Sequence, residues 1–446
     1  MKCRGMTVAS SRNHQTYRNP LSAVLTICAI VLALALVATN PAWAQTYSVI
    51  HEFTSGAGGA NPQAGMVMDH GGNLYGTTIA GGGGTCPNFF GQPGCGTVFK
   101  FNPSSGRFSV LYQFTGGTDG AAPVAPLLVA SDGTLYGSTT SGGVDSCAGY
   151  EGLPGCGVVF HLHPRPTPPR TALENYWLET PLYSFQGSPD GNTPMGDLAM
   201  DESGDVYGST LVGGSQSVGS VFELTSSAGG WSESILHDFL GGTSDGLNPY
   251  GGVTLKAGDL YGTTAFGGAD NNGTVVQLIP SSGGWMENLL YSFPGSSNGG
   301  PYSGVTFDSA GNLYTSTLFG GSGEGTVFEL YSGSWGFNLI YSFANGGPLG
   351  SDLIFDQSGN IYGTTAYGGA YGLGSVFKLT PTMGGYIYTS LHDFCAGGFP
   401  CSDGAFPYAT LVMDSSGNLY GTTDLGGSNL GVCTGGTCGV IFKITQ

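Results

Sequence analysis

Hydrophobic residues in this chain come in short runs of four to seven, rich in β-branched and aromatic side chains, and each run is bounded by Gly, Asn, Asp, Ser or Pro. Such runs read as β-strands joined by tight turns. The runs also recur. The phrase LYGTT, with small variations, is centred on Tyr75, Tyr136, Tyr207, Tyr261, Tyr314, Tyr362 and Tyr420, at spacings of 61, 71, 54, 53, 48 and 58 residues. A second phrase, GTVFKL, begins at Gly96, Gly157, Gly219, Gly273, Gly325, Gly374 and Gly439. A third, LYSF, ends at Phe53, Phe114, Phe185, Phe239, Phe293, Phe343 and Phe394. A fourth, an apolar run closed by an acid, is clearest at Asp69, Asp201, Asp308, Asp356 and Asp414. Four strands per unit and seven units predict an all-β protein, a seven-bladed β-propeller with four-stranded blades.

The turns order the strands. Between the apolar-Asp run and LYGTT lies D-x-x-G-N, as in Asp308-Ser309-Ala310-Gly311-Asn312, which suits a short hairpin with glycine in the left-handed region. A second short reversal, such as Pro280 to Gly284, joins GTVFKL to LYSF. The stretch after LYSF, G-G-x-D-G-x-x-P, is the crossover from one blade's outer strand to the next blade's inner strand. The pattern opens with a lone outer strand, Tyr47 to Phe53, and closes with a third strand, Gly439 to Ile444. Pairing them predicts a last blade closed by the N-terminal strand, which leaves no open sheet edge.

Composition supports this architecture. Glycine supplies 82 of 446 residues, while aromatics make up 12% and charged residues 9%. Helix bundles and disordered chains have the opposite balance. The first 44 residues read as a signal peptide: Lys2, Arg4, Arg12 and Arg18, then an apolar run from Leu21 to Ala38, then Ala42-Trp43-Ala44. Cleavage after Ala44 leaves residues 45–446 as the propeller and implies secretion, extracellular or periplasmic. It also leaves seven basic residues against 29 acidic ones, a formal charge of −22. That surface repels nucleic acid and, once the leader is gone, disfavours membranes. A monomer is expected.

Eight cysteines follow the leader, in close couples: Cys86 and Cys95, Cys147 and Cys156, Cys395 and Cys401, Cys433 and Cys438. Four local disulfides fit an oxidising compartment. No C-x-x-C spacing or accompanying histidine suggests zinc. Strand alternation puts all four couples and the crossovers on one, long-looped face. The other face carries tight turns and one excursion, His163 to Pro181, which includes Arg165 and Arg170.

The combination of D-x-x-G-N-L-Y-G-T-T, G-G, G-T-V-F-K-L and L-Y-S-F resembles the GloVer tandem-repeat proteins, a family of exported bacterial proteins. The resemblance spans Tyr47 to Gln446. It implies the repeat architecture and no settled activity. Family members often carry a C-terminal sorting anchor, whereas this sequence ends in a strand, which suggests release.

Candidate chemistry is sparse. His51, His237 and His392 share one repeat position in three different blades, so they cannot converge, and a structural role is expected. His161 and His163 share a strand face without a third ligand. Asp119, Asp190, Asp245 and Asp403 precede glycine in crossover loops; there they suit a turn, and they are also candidate ligands for calcium or acid–base groups. No metal or other cofactor is otherwise indicated, and no catalytic residue is identified. Phe266, Phe319 and Tyr367 follow LYGTT in consecutive blades, and Phe89, Phe90 and Tyr150 fall inside cysteine-closed loops. Exposed aromatics on a cross-linked face fit a module binding a glycan or cell-surface polymer. An extracellular polysaccharide hydrolase or lyase using loop carboxylates, and an envelope scaffold or protein-interaction propeller, are the alternatives.

Overall fold

The computed structural model describes residues 45–87, 92–144, 147–149, 152–165, 176–295, 299–321, 323–428 and 438–446; the expected signal peptide, Cys433, Phe89, Phe90, Tyr150 and Arg170 lie outside them. Each repeat folds into an antiparallel sheet, and the seven sheets form a seven-bladed β-propeller. Blade 6 is typical, with strands Ile354–Phe355, Ile361–Thr365, Ser375–Thr382 and Gly385–Asp393 from the axis outwards. Blade 7 takes Val412–Met413, Leu419–Thr423 and Val440–Thr445 from one end of the sequence and Thr46–Glu52 from the other. The closing pair runs from Thr46 opposite Thr445 to Glu52 opposite Val440. Phe53 then donates its N–H to the Gly439 carbonyl at 3.0 Å.

The local physics explains why LYGTT repeats. Its leucine is buried in the blade, as at Leu74 and Leu419. Its tyrosine hydroxyl donates to the turn aspartate, as from Tyr362 to Asp356 at 3.0 Å. The other oxygen of Asp356 accepts the N–H groups of Ser358 and Asn360, so one carboxylate closes the turn and orients the next strand. The glycine lies under the phenyl ring of the adjacent strand: a methyl at Gly363 would sit 2.7 Å from the Phe377 ring. The first threonine hydroxyl donates to the next blade's crossover, as from Thr364 to the Ala409 carbonyl at 3.1 Å. The second pairs within the blade, as Thr317 with Thr326 at 2.7 Å. Between blades, the phenylalanine of LYSF meets the phenylalanine of the next GTVF edge to face, Phe343 on Phe377 at 5.2 Å and Phe53 on Phe99 at 5.3 Å.

One element differs from the sequence reading. The innermost strand keeps only two paired residues in six blades and four, Val253–Lys256, in the blade formed with Asp259–Thr264. Near the axis the chain spends its polar groups sideways instead. Asp197 bridges to Gly252, Thr254 donates to the Val305 carbonyl at 2.8 Å, and Thr306 donates to the Leu353 carbonyl at 2.8 Å. Ladder bonds are thus exchanged for bonds around the axis.

Disulfides join Cys86 to Cys95, Cys147 to Cys156 and Cys395 to Cys401. Cys438 is also disulfide-bonded. Among the described residues, no helix is long and apolar enough to cross a membrane.

Candidate functional site

The crossover segments bring equivalent residues of all seven blades to the axis. Each contains a proline: Pro62, Pro123, Pro194, Pro249, Pro301, Pro348 and Pro407. The residues just after it, Gln63, Val124, Met195, Tyr250, Tyr302, Leu349 and Tyr408, line a central cavity of about 230 Å³ on the long-looped face. A few residues further on, the chain reaches the cavity floor, where Gly65, Pro126 and Gly304 sit beside two acids, Asp197 and Asp352. The five other blades bring no charge to these positions, and none of the lining residues is basic.

Asp197 and Asp352 come from opposite sides of this ring and hydrogen-bond one another. Burial, then the neighbouring carboxylate of Asp352, push Asp197 well above the ordinary carboxyl range. Burial also raises Asp352, against the bonds it accepts from Asp197 and from the Gly304 N–H at 2.6 Å. Its own N–H donates to the Thr410 hydroxyl at 2.9 Å, which fixes the backbone. A third acid stands behind the wall. Asp424 accepts from the Gln63 amide at 3.3 Å, and burial pushes its carboxyl up to about 6.

Aromatic side chains frame the mouth. Tyr250 and Tyr302 meet edge to face at 5.1 Å, and Phe266 approaches Tyr302 at 6.4 Å. Across the opening, the Tyr367 and Tyr408 hydroxyls are 3.2 Å apart, and Phe406 packs against both rings. Phe406 in turn rests against the Cys395–Cys401 loop. Phe266, Phe319 and Tyr367 are 41%, 54% and 44% exposed. The structure therefore brings these three sequence candidates to the rim, beside tyrosines that sequence reasoning passed over.

The crossover aspartates are placed elsewhere. Asp119 accepts from the Thr115 N–H at 2.7 Å and the Tyr112 hydroxyl at 3.0 Å. Asp190 accepts from the Gln186 and Gly191 N–H groups at 2.7 and 2.6 Å, and Asp245 from those of Leu240 and Gly246 at 2.6 Å each. Asp403 accepts from the Cys395 N–H and pairs with His392, both at 3.0 Å. Each closes its own loop near the outer strands and none faces the cavity. His51 lies flat on Phe108 at 3.9 Å, and burial lowers its pKa to about 4. His161 and His163 touch edge to face at 5.2 Å. Among the described residues, one group gathers potential metal ligands, His237, Asp245 and Glu287. Tyr183, Asp190 and Glu233 repeat this arrangement one blade earlier with a phenol in place of the imidazole, which marks it as a packing unit.

The sequence carried a signal for the missed residues. Aligned on the crossover proline, Asp197 stands where other repeats have Gly, Pro, Ser or Thr, and Tyr250, Tyr302 and Tyr408 recur one residue after that proline. Ser351 adds one residue before Asp352 and shifts it out of that frame.

The chain belongs to the Gloeobacter/Verrucomicrobia repeat family, whose model matches residues 36–176, 150–288 and 280–446. No curated protein matches the sequence. Among solved structures, it is similar to a PQQ-bound aldose sugar dehydrogenase from Streptomyces coelicolor, with 14% identity, 90% of this chain and 98% of that one covered, and a TM-score of 0.44. It is similar to a polysaccharide lyase of family PL25, an ulvan lyase, at 12% identity, covering 76% and 86%, with a TM-score of 0.46. A puromycin hydrolase matches at 12% identity over 82% of this chain and 50% of its own, with a TM-score of 0.48. Likeness at this level carries no argument about chemistry.

Proposed function

We propose that this protein is a secreted binding module that takes the end or a branch of a glycan into the central cavity of its long-looped face. One observation carries the reading: three tyrosines on the cavity wall continue outwards into three exposed rings, Phe266, Phe319 and Tyr367. Aromatic faces give large contact areas at low entropic cost, and their polar tips can hydrogen-bond hydroxyls. The cavity is smaller than the roughly 300–1,000 Å³ of pockets that enclose a drug-sized ligand, which matches one sugar ring rather than a chain segment. The Cys395–Cys401 loop backs Phe406, and through it Tyr367 and Tyr408, so that side of the mouth is held before a ligand arrives.

A glycan array probed with residues 45–446 tests this. Specific binding is expected, and Tyr302→Ala and Tyr408→Ala should each weaken it roughly tenfold or more while changing stability little. Binding should persist in chelator, because Asp119, Asp190, Asp245 and Asp403 are engaged in their own turns. A blank array, or full binding by both variants, overturns the reading.

A second reading rests on the carboxyl pair. Two hydrogen-bonded carboxyls, Asp197 and Asp352, have the elements of acid–base hydrolysis: one group donates a proton to a leaving oxygen and the other takes one from water. Chain shortening of a bound glycan, lost in Asp197→Asn, would establish turnover.

A further inference from the structure

We infer that the floor of the central cavity is a subsite for a protonated amino group, so that the glycan taken there is an amino sugar with a free amine. This deepens the binding reading above and rests on it.

Charge is the first argument. The lining holds two carboxyl groups and no lysine, arginine or histidine, in a chain of formal charge −18. A uronate or sulfate would meet like charge at close range. A neutral sugar would leave the carboxyl pair with only its shared proton. An ammonium group supplies the missing positive charge in the same place.

The second argument is hydrogen bonding. Two carboxyls in contact cannot both ionise cheaply, and the pair holds a proton between its members. Gly304 already donates to one oxygen of Asp352. An ammonium brings three donors and a full charge, and charge-assisted bonds of this type are about twice as strong as neutral ones. Its arrival lets the second carboxyl ionise, so the shared proton leaves to solvent as the ammonium enters. The balance is one proton released for one cation bound, with no covalent change.

The third argument is the wall. Tyr250 and Tyr302 stand at the cavity with their rings 5.1 Å apart, and Tyr408 faces the same space. Electron-rich ring faces attract a cation that has shed its water. The glycines account for access. A methyl at Gly304 would lie 3.1 Å from the Asp352 carboxyl, and at Gly251 one would meet the Ser303 backbone at 2.3 Å, so only this small-residue floor leaves the acids open to a ligand.

The titratable groups facing the pair are few. They are each other, Asp424 behind Gln63, and the phenols of Tyr250, Tyr302 and Tyr408. Burial raises both carboxyls of the pair and pushes Asp424 up to about 6, and it raises the Tyr302 phenol above its ordinary 10, so proton release on binding reports the pair and, through the wall, Asp424.

The test is calorimetric titration of residues 45–446 with tetra-glucosamine, its fully N-acetylated counterpart, a tetra-galacturonate and methylammonium chloride. Each is run at pH 6, where the amines are charged before they bind, in two buffers of different ionisation heat. Tetra-glucosamine should bind roughly tenfold or more tightly than the acetylated tetramer, releasing about one proton per ligand, and the galacturonate should not bind. Asp197→Asn/Asp352→Asn should erase the preference while the thermal transition is retained; should that variant fail to fold, the proton count on the unaltered protein decides alone. Equal affinity for the two tetramers, or binding without proton release, overturns the amino-group subsite and leaves the glycan reading standing. Methylammonium binding with proton release, without either tetramer, sustains the subsite and overturns the glycan reading; a lysine-bearing peptide would then be its source of cation. Silence from all four overturns both.

Discussion

The ring has two kinds of seam between its blades, built on one backbone register. In four seams two rings face each other across the gap. His51 stacks on Phe108 at 3.9 Å, Tyr291 on Phe337 at 4.9 Å, Tyr341 on Tyr388 at 5.0 Å, and His392 on Tyr47 at 3.6 Å. In the three consecutive seams between the first and fourth blades, a glutamate takes the second ring's place. Glu179 faces Tyr112 and Asp119, Glu233 faces Tyr183 and Asp190, and Glu287 faces His237 and Asp245. One oxygen of each glutamate is enclosed without a hydrogen-bond partner. Burial, and then the adjoining aspartate, push Glu179 up to about 8 and Glu233 and Glu287 to about 7. The same geometry therefore tolerates either a ring stack or a carboxyl pair that needs a proton. The stacks of Tyr291 on Phe337 and of Tyr341 on Tyr388 hold only rings that burial keeps un-ionised, whereas the stacked His51 is kept neutral down to about 4 and the glutamates are kept protonated up to 7 or 8.

The sharpest way to break this comparison is to empty a stacked seam. Phe343 is buried and packs on Phe377, Tyr341 and Tyr388. Phe343→Ala should cost about 3–5 kcal/mol in urea unfolding, equally at pH 5 and pH 8. A loss that changed with pH would mean that this seam of phenyl and phenol rings titrates too.

Next in size is the pH dependence of the whole molecule. The three glutamates have folded pKa values above the ordinary 4.5, so between that value and 7–8 the folded chain holds more protons than the unfolded one. Their contribution is full at pH 4.5 and is lost as pH rises through 7 to 8. The total should be about 3 kcal/mol, since all three keep part of their surface in water, where screening is strong. Asp424, raised to about 6, adds in the same direction. The turn aspartates act oppositely. Hydrogen bonds hold Asp69, Asp356 and Asp414 below the ordinary 3.8 despite partial burial, so their stabilisation is lost only as pH falls below that value. His51 opposes the glutamates at the acid end: burial lowers its pKa from 6.5 to about 4, so the fold loses stability as pH falls below 6.5. Thermal unfolding should thus be highest near pH 6, and a transition temperature rising from pH 6.5 to 8 would contradict the assignment.

The smallest effect isolates one seam. Glu233→Gln should stabilise the protein by about 1 kcal/mol at pH 8 and leave it unchanged at pH 5, measured by the shift in unfolding midpoint. A gain at both pH values would point to packing rather than to the charge.

Much of the fold was legible because each repeat solves the same local problem with the same residues. Asp356 closes a turn, Gly363 admits a ring, and Thr364 reaches the next blade, so their spacing carries the architecture directly. The rim aromatics Phe266, Phe319 and Tyr367 were legible for the same reason, as they follow a phrase whose direction was known. The floor was not. Asp197 and Asp352 lie about three repeats apart in sequence, and they meet only because the ring closes on its axis. The aspartates that drew attention by preceding glycine serve their own turns, whereas the pair that reaches the cavity stands among residues chosen for smallness. The paired glutamates escaped notice because each answers an aspartate in the preceding blade, about 40 to 60 residues away.

The closing strand has a consequence for how the molecule is made. Thr46 and Thr445 are neighbours in space and almost the whole chain apart in sequence. During synthesis, the first strand to emerge is the one that waits longest for its partner, and such distant pairings are slow to form. The same adjacency makes the order of blades arbitrary. Joining Gln446 to Gln45 by a short linker and reopening the chain at an exposed hairpin, such as Ser282–Gly283, should yield the same ring with its clasp in a different blade.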